Sequence, residues 1–450
     1  MMLNAAKLLE LCDKERANFR ARIPRSRALH AQSYPLMPHG VPNSWMAGFY
    51  PGTEIFAAKG SGAWFEDVDG NRYLDMTQCD LSMVCGYGPA PIARAVAERF
   101  AAGSHFLLPT EDAIAVCDLL KARFGMPAWQ FTLSASAANT EAIRIARFAT
   151  GRDKVLIFAG KYHGHLDETL VEASGPEHQG LPRAIEQGTI VVEFNDLAAT
   201  EAALKSGDVA CILAEPVMTN IGVIHPDDGF LDGLRDLTRR HGALLIIDET
   251  HTQTACFGGF TRKWNLQPDI LTLGKCVGGG VPIGVYGMTQ DLRDLVERNT
   301  EPTKTHGKTL ALGGTMLGNA LNLAAARAAL EHVLTEEHYA RVEKLGGELA
   351  DGIDALIAER ALPWRAQRLG NRSGLCLSRT PPRNAREAHK ALSQELNHFA
   401  RAFLANREIW EPIYIHGASV SFAHGKDDVR LYLNRLGELL DRVVAEAWAA

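Results

Sequence analysis

In the stretch "LTLGKCVGGGVPIGVYG", Leu271 to Gly287, a single lysine, Lys275, ends a short apolar segment, and three glycines begin three residues further on. Burying an ammonium group at a strand end costs on the order of several kcal/mol unless it is partnered. A second apolar segment, "GALLIIDET", ends with Asp248. Two buried strands then deliver an amine and a carboxylate to the carboxyl edge of one sheet, where open α/β sheets bind ligands. A snorkelling lysine or a structural ion pair would use the same residues. The pair also suits pyridoxal 5′-phosphate: a lysine forms a Schiff base with its aldehyde, and a carboxylate keeps a proton on its pyridine nitrogen. The protonated ring accepts the electrons of a carbanion, and the lysine, once displaced by substrate, shuttles the proton.

Such a cofactor needs a phosphate site. "FTLSASAANTEAIRIAR" runs from a strand through Ser134, Ala135 and Ser136 into a helix, so backbone N–H groups and hydroxyls at the helix start can face an anion. Ser and Ala at a helix start also serve as plain caps. "KYHGHLDE" places Tyr162 and His163 after another strand end, where an aromatic can stack on the cofactor ring or simply pack its loop. Gly278 to Gly280 allow the backbone to pass close to a ligand and turn away beyond the lysine. The G-x-G-x-x-G pattern of dinucleotide sites is absent, and His163 and His165 have no further zinc ligands at useful spacing, so no metal is expected.

Composition agrees with a small-molecule enzyme. The 450 residues exceed one compact core, 46% of them are hydrophobic, and the net charge of −6 is spread without a basic block. Neither nucleic acid nor an anionic membrane is an expected partner. The eight cysteines occur singly with no C-x-x-C pair and read as reduced thiols. The N-terminal stretch has helical spacing interrupted by charges of both signs, so no export signal is expected and the expected location is cytoplasmic. No run of 18 apolar residues predicts a membrane span.

The pattern also gives the elements that must position these residues. "WQFTLS", "KVLIFA", "TIVVEF", "VACILAEPV", "ALLIIDE", "DILTLGK" and "PIGVYGM" read as strands, with helices such as "NTEAIRIARFAT" and "GFLDGLRDLTRRHG" between several of them. Strands apolar throughout and separated by helices predict an α/β fold with a mainly parallel sheet covered on both faces. "GAWFEDVDGNRYLDM" reads as a hairpin turning at Asp69-Gly70. Beyond about residue 320 long helices dominate. The expected organisation is a large domain over 76–320 and a smaller α+β domain built from 1–75 and 321–450.

The order of motifs resembles the class III, fold type I, pyridoxal-phosphate-dependent aminotransferases, in the branch of the glutamate-1-semialdehyde aminomutases and β-amino-acid aminotransferases. "EDVDGNRYLDM", "GRDKVLIFAGKYHGH", "AEPV", "LLIIDET", "PDILTLGKCVGGGVPIGVYG" and "GGTMLGNALNLAAAR" carry the resemblance without a gap inside any of them. It implies Lys275 as the Schiff-base residue, Asp248 as partner of the pyridine nitrogen, Tyr162 as the ring-stacking aromatic and Glu215 as the acid near the cofactor hydroxyl. The phosphate loop of the family usually reads S-G-T-E-A, whereas Ser134 to Ala138 reads "SASAA". Thr315 matches a threonine that reaches the phosphate from a neighbouring subunit, which implies a homodimer with shared sites. Thr250 and His251 stand where the family usually has valine and then glutamine or methionine.

The resulting expectation is an aminotransferase that moves an amino group from an amine or amino acid to a keto acid by ping-pong half reactions. An aminomutase or racemase is the alternative, since the same lysine and ring serve both. A non-catalytic binding module is the remote one. In the aminomutase a carboxylate-binding arginine follows "GGVNSPV"; near that point "HGVPNSWMAGFYPG" has Trp45 and Met46, which favours a substrate with an apolar or aromatic group.

Overall fold

The computed structural model describes residues 2–49, 54–171, 180–300, 310–411 and 417–449. The chain divides into two compact units: Ala90–Arg341 with Pro382–Lys390, and Met1–Pro89 with Val342–Pro381 and Ala391–Ala450.

The larger unit is built on seven strands: β1 (Ala128–Thr132), β2 (Lys154–Phe158), β3 (Thr189–Val192), β4 (Val209–Ala214), β5 (Leu244–Asp248), β6 (Ile270–Leu273) and β7 (Gly284–Met288). Their order across the sheet is β1-β7-β6-β5-β4-β2-β3. The pairs from β6 through β3 are parallel, and β7 alone runs opposite to both its neighbours. β4 is buried along its whole length, as two-sided coverage by helices requires. The register sets Asp248 opposite Thr272 and Ala214 opposite Ile247, so β4, β5 and β6 end at one level. Among the described residues no helix is long and apolar enough to cross a membrane.

Helices α1 (Ala90–Ala101), α2 (Glu111–Phe124), α3 (Ala135–Thr150), α4 (Phe230–His241), α5 (Gln290–Asn299) and α6 (Ala320–His332) are among the helices of this unit. α3 presents Ala138, Ala142, Ile143, Ile145 and Ala146 to the core formed with β2, β4, β5 and β7. Gly151 ends it in the left-handed conformation, returning its N–H to Arg147 O.

The boundaries differ from those expected at 75/76 and 320/321. α6 packs on α1 and α2, its buried alanines 324–326, 328 and 329 permitting close approach, so the large unit extends to Arg341. Residues 76–89 instead join the smaller unit, because Gly62 and Tyr87 exchange backbone hydrogen bonds and Phe422 N–H donates to Val84 O. Pro382–Lys390 returns to the large unit, where Asn195 Nδ2 donates to Arg383 O at 2.8 Å.

The smaller unit contains the hairpin of Trp64–Asp67 and Arg72–Asp75, with Gly70 at φ +88° in its turn. Helix Ala5–Ala21 packs on helix Gln394–Ala405 around Leu8, Leu11, Phe399, Ala402 and Phe403. Four consecutive non-glycine residues, Gln78 to Leu81, lie in the left-handed region. That conformation costs roughly 1–2 kcal/mol per residue. Asp75 supports the entry to this turn, its Oδ1 accepting from the N–H groups of Thr77 and Gln78 and its Oδ2 from Tyr87 OH.

Candidate active site

The carboxyl ends of β2, β4, β5 and β6, with the start of α3, converge on Asp248. This carboxylate is 3% exposed, and its Oδ2 accepts from His163 Nδ1 and Asn139 Nδ2, each at 2.9 Å. Its Oδ1 accepts from the Thr250 N–H at 2.9 Å. Burial pushes the carboxyl up, but the hydrogen bonds from His163, Thr250 and Asn139 and the charge of His163 outweigh it and hold Asp248 below the usual carboxylate range. Asn139 is itself pinned, since Nδ2 also donates to His163 O at 3.0 Å and Oδ1 accepts from Thr272 Oγ1 at 2.7 Å. With Nδ1 donating to Asp248, the buried His163 Nε2 meets no hydrogen-bond partner among the described residues.

Lys275 comes directly after β6 and Gly274 and opens a 3₁₀ turn, Lys275–Gly278. Its φ of +52° places a long side chain in the left-handed region, at a cost of about 1–2 kcal/mol. Strain of this kind persists where the surroundings over-determine a functional position. Gly274 is needed on the near side, because a Cβ there would lie 2.7 Å from Ala135 Cβ; Gln253 Nε2 donates to Gly274 O at 2.9 Å and fixes the peptide entering the lysine. The three glycines beyond divide their work. Gly278 has no room for a Cβ beside Ile283, at 2.9 Å, whereas Gly279 and Gly280 have φ of +58° and +105° and carry the turn. The adjacent Cys276 is no competing nucleophile, since burial pushes its thiol up to about 12.

The start of α3 forms the third wall. Ser134 caps it, its hydroxyl accepting from Ala137 N–H at 3.2 Å, and the ladder of α-helical bonds begins with Ala138 N–H to Ser134 O. The N–H groups of Ala135 and Ser136 therefore stand in the first turn, where intrahelical acceptors are lacking. Ala135 lies inside the helix and needs no positive φ, so it replaces the usual glycine without strain. Ser136 Oγ accepts from His165 N–H at 3.1 Å, which ties the loop after β2 to the helix start. Gly164 and Gly284 are required there: a Cβ on Gly164 would collide with Ser136 Oγ, and one on Gly284 with Ser134 O.

Tyr162 lies on the loop after β2, its ring edge-on to His165 with centroids 6.4 Å apart. Glu215 is buried beyond β4, where its Oε2 accepts from Thr219 Oγ1 at 2.7 Å; Thr219 Oγ1 also lies 2.6 Å from His251 Nδ1. Thr250 is buried, and its Oγ1 meets no hydrogen-bond partner among the described residues. The strand edge thus collects Ser134, Ala135, Ser136, Tyr162, His163, Glu215, Asp248, Thr250, His251 and Lys275. Thr315 is exposed on the loop before α6. Trp45 and Met46 belong to the smaller unit, on helix Ser44–Phe49, at 41% and 48% exposure; Tyr50 to Gly52 of that motif lie outside the described residues.

Sequence reasoning missed Asn139, Thr219, Gln253 and Thr272. Thr272 carried a signal, as a polar residue within the apolar run "DILTLG", and Asn139 lies about one helical turn beyond Ala135 on α3.

The family description "Aminotransferase class-III" matches residues 48–395. The chain belongs to the class III aminotransferases. Within that family it is 34% identical to the glutamate-1-semialdehyde 2,1-aminomutase of Anaeromyxobacter dehalogenans strain 2CP-C over 420 residues, 90% of this chain and 95% of the relative. The crystal structure of a glutamate-1-semialdehyde-aminomutase from Pseudomonas aeruginosa PAO1 superposes with a TM-score of 0.93 at 36% identity, covering 98% of this chain and 100% of that one. An omega-transaminase from Sphaerobacter thermophilus gives 0.85 at 26% identity, over 93% and 98% of the two chains. This class III chain has the fold type I architecture, and its cofactor is pyridoxal 5′-phosphate.

The strand edge fits that cofactor. Asp248 is an ionised buried acid able to pair with a protonated ring nitrogen, His163 Nε2 and Thr250 Oγ1 are buried polar atoms in need of a partner, and Gly274 and Gly284 let the strand ends pack directly against the start of α3. A buried polar group left unpaired costs about 1–3 kcal/mol, which a ligand at this edge would offset.

Proposed function

We propose that this class III enzyme acts as an aminomutase, returning the amino group to another carbon of the same substrate skeleton rather than passing it to a separate keto acid. The observation that carries this reading is the near-complete superposition on the Pseudomonas aminomutase, stronger in both coverage and identity than that on the omega-transaminase. It replaces the ping-pong aminotransferase as first choice.

When bound, pyridoxal 5′-phosphate supplies an aldehyde that condenses with amines and a protonated ring that draws electrons from the substrate carbon. In this reading Lys275 Nζ would anchor it and, when free, would serve as the base that moves a proton between substrate carbons. Asp248 holds the proton on the ring nitrogen, and Asn139 and His163 hold Asp248 in place. The first-turn N–H groups of α3, with Ser134 and Ser136, receive the phosphate. Tyr162 and Thr250 would hold the two faces of the ring and Glu215 its hydroxyl, with His251 joined to Glu215 through Thr219. Thr315, exposed in one chain, completes the phosphate site of a second copy, so the working unit is a homodimer.

One feature favours the second reading, an aminotransferase for donors with an apolar or aromatic substituent. Trp45 and Met46 are half-exposed near the point where the aminomutase carries its carboxylate-binding arginine. The deciding experiment offers glutamate-1-semialdehyde with no added amine or keto acid. Repeated turnover that moves the amino group from carbon 2 to carbon 1 is expected. A reaction that stops after one equivalent per site, and resumes only with a keto acid, would establish the aminotransferase.

A further inference from the structure

His251, Thr219 and Glu215 form a buried chain that joins the ends of β5 and β4. All three are at most 4% exposed, and the two contacts are 2.6 and 2.7 Å. A threonine hydroxyl has one proton to give. When Glu215 is ionised it can only accept, so Thr219 donates to it and accepts from His251 Nδ1–H, leaving the lone pair on Nε2. When Glu215 is protonated every bond reverses: Glu215 donates to Thr219, Thr219 donates to His251 Nδ1, and the histidine proton resides on Nε2. Both arrangements keep the two hydrogen bonds through Thr219, and they differ by one proton.

We propose that this chain is a proton relay, in which a proton taken up at His251 Nε2 emerges on Glu215. On uptake the Nδ1–H proton passes to Thr219 Oγ1, the Thr219 proton passes to Glu215 Oε2, and the imidazole ends neutral with its proton on Nε2; release runs in the opposite order. His251 is then a positioning residue that sets the charge of Glu215. The proposal rests on the reading that the cofactor lies at this strand edge with Glu215 beside its ring hydroxyl. The residue at 251 supports it, because an imidazole can carry a proton on either ring nitrogen and so pass one through, whereas the glutamine or methionine usual in the family cannot.

Among the described residues, the other titratable groups brought to this edge include Lys161, Tyr162, His163 and His165 after β2, Asp248 and Glu249 at the end of β5, and Lys275 and Cys276 after β6. Asp248 is paired with His163, Glu249 accepts from Thr252 and Thr261, and Lys161 Nζ donates to Val171 O at 3.2 Å. Two interacting sites titrate as a pair.

The test measures the absorbance of the bound cofactor in the holoenzyme against pH, with its dissociation constant obtained by dialysis. Thr219→Val, which keeps the shape and removes the link, is expected to retain cofactor and to move the midpoint by about one pH unit, a tenfold change in proton affinity. His251→Gln should abolish the same step, and Thr219→Ser should restore the wild-type midpoint. Wild-type midpoints in both Thr219→Val and His251→Gln would overturn the relay. Glu215→Gln separates the two levels: if it leaves the spectrum unchanged, the acid does not lie beside the ring and the underlying reading fails. If it alters the spectrum while Thr219→Val does not, only the relay fails.

Discussion

His163 Nδ1 donates to Asp248 Oδ2 at 2.9 Å, joining the loop after β2 to the end of β5 across 85 residues of sequence. The contact fixes which histidine nitrogen carries a proton and keeps a buried carboxyl ionised.

The depressed carboxyl of Asp248 makes stability pH-dependent with a defined sign. The unfolded chain binds the proton at the ordinary aspartate value, about 3.9, while the folded chain binds it only at lower pH. The stabilisation is therefore present above about pH 4–5 and is lost as pH falls through the folded value. Asp248→Asn is expected to flatten this part of the Tm-against-pH curve and to destabilise the apoprotein at pH 7 by about 3 kcal/mol, because one partner of a buried pair is removed. It should also weaken cofactor binding and remove most turnover. Wild-type turnover in that variant would leave Asp248 a purely structural acid.

Lys275, proposed as the covalent anchor, also carries backbone strain. Borohydride reduction of the holoenzyme is expected to fix the cofactor on this residue, and Lys275→Ala should fold yet show no turnover. The φ of +52° adds a comparison that needs no cofactor: apo Lys275→Gly should melt higher than apo Lys275→Ala by an amount worth about 1 kcal/mol, since only glycine adopts this region freely. Equal melting temperatures would show that position 275 is unstrained, and label on another lysine would remove it from the chemistry.

Asn139 joins Asp248, His163 and Thr272 through one amide. Asn139→Ala should cost about 1–3 kcal/mol and weaken cofactor binding about tenfold. Asn139→Asp should do more harm than alanine, because a second carboxylate beside Asp248 raises the proton affinity of the pair. Isothermal cofactor titration of the two variants, ranked in the opposite order, would contradict this.

Thr315 supplies a test of assembly. If it serves the phosphate of the partner's site, cofactor retention should fall as the protein is diluted below its dimerisation constant. In mixed dimers, Lys275→Ala in one chain and Thr315→Ala in the other place both defects in a single shared site, and about half the wild-type activity should remain. An active monomer in sedimentation would rule out the shared site.

Trp45 separates the two substrate readings. Under the aminotransferase reading, Trp45→Ala should lower kcat/KM for donors with bulky apolar groups by about tenfold or more, equivalent to roughly 1–3 kcal/mol of lost contact, and spare small donors. Equal loss for both kinds of donor, with a lower Tm, is the result expected if the ring only packs its own segment.

The candidate site residues and their strand ends were legible in the sequence because the signals are local. Unbroken apolar runs such as "LLIID" and "DILTL" mark strands buried on both faces, and the residues just beyond each run must emerge at the carboxyl edge, which is how Asp248, Lys275 and Tyr162 could be assigned to that edge from pattern alone, whereas Glu215 came only from the family resemblance. Tertiary structure decided the rest. Asn139 reaches Asp248 from 109 residues away only because the parallel register sets Thr272 opposite Asp248 and α3 crosses above both. The limits of the larger unit likewise depend on the alanine face of α6 meeting α1 and α2, since an apolar helix face read from sequence does not say which partner it covers. The left-handed φ of Lys275 has no signature in a residue type that ordinarily avoids it; it accompanies the close approach of Gly274 to Ala135 and the turn through Gly279. Local pattern determines which groups arrive at the sheet edge, whereas their hydrogen bonds and strain arise from contacts between distant segments that only the folded chain brings together.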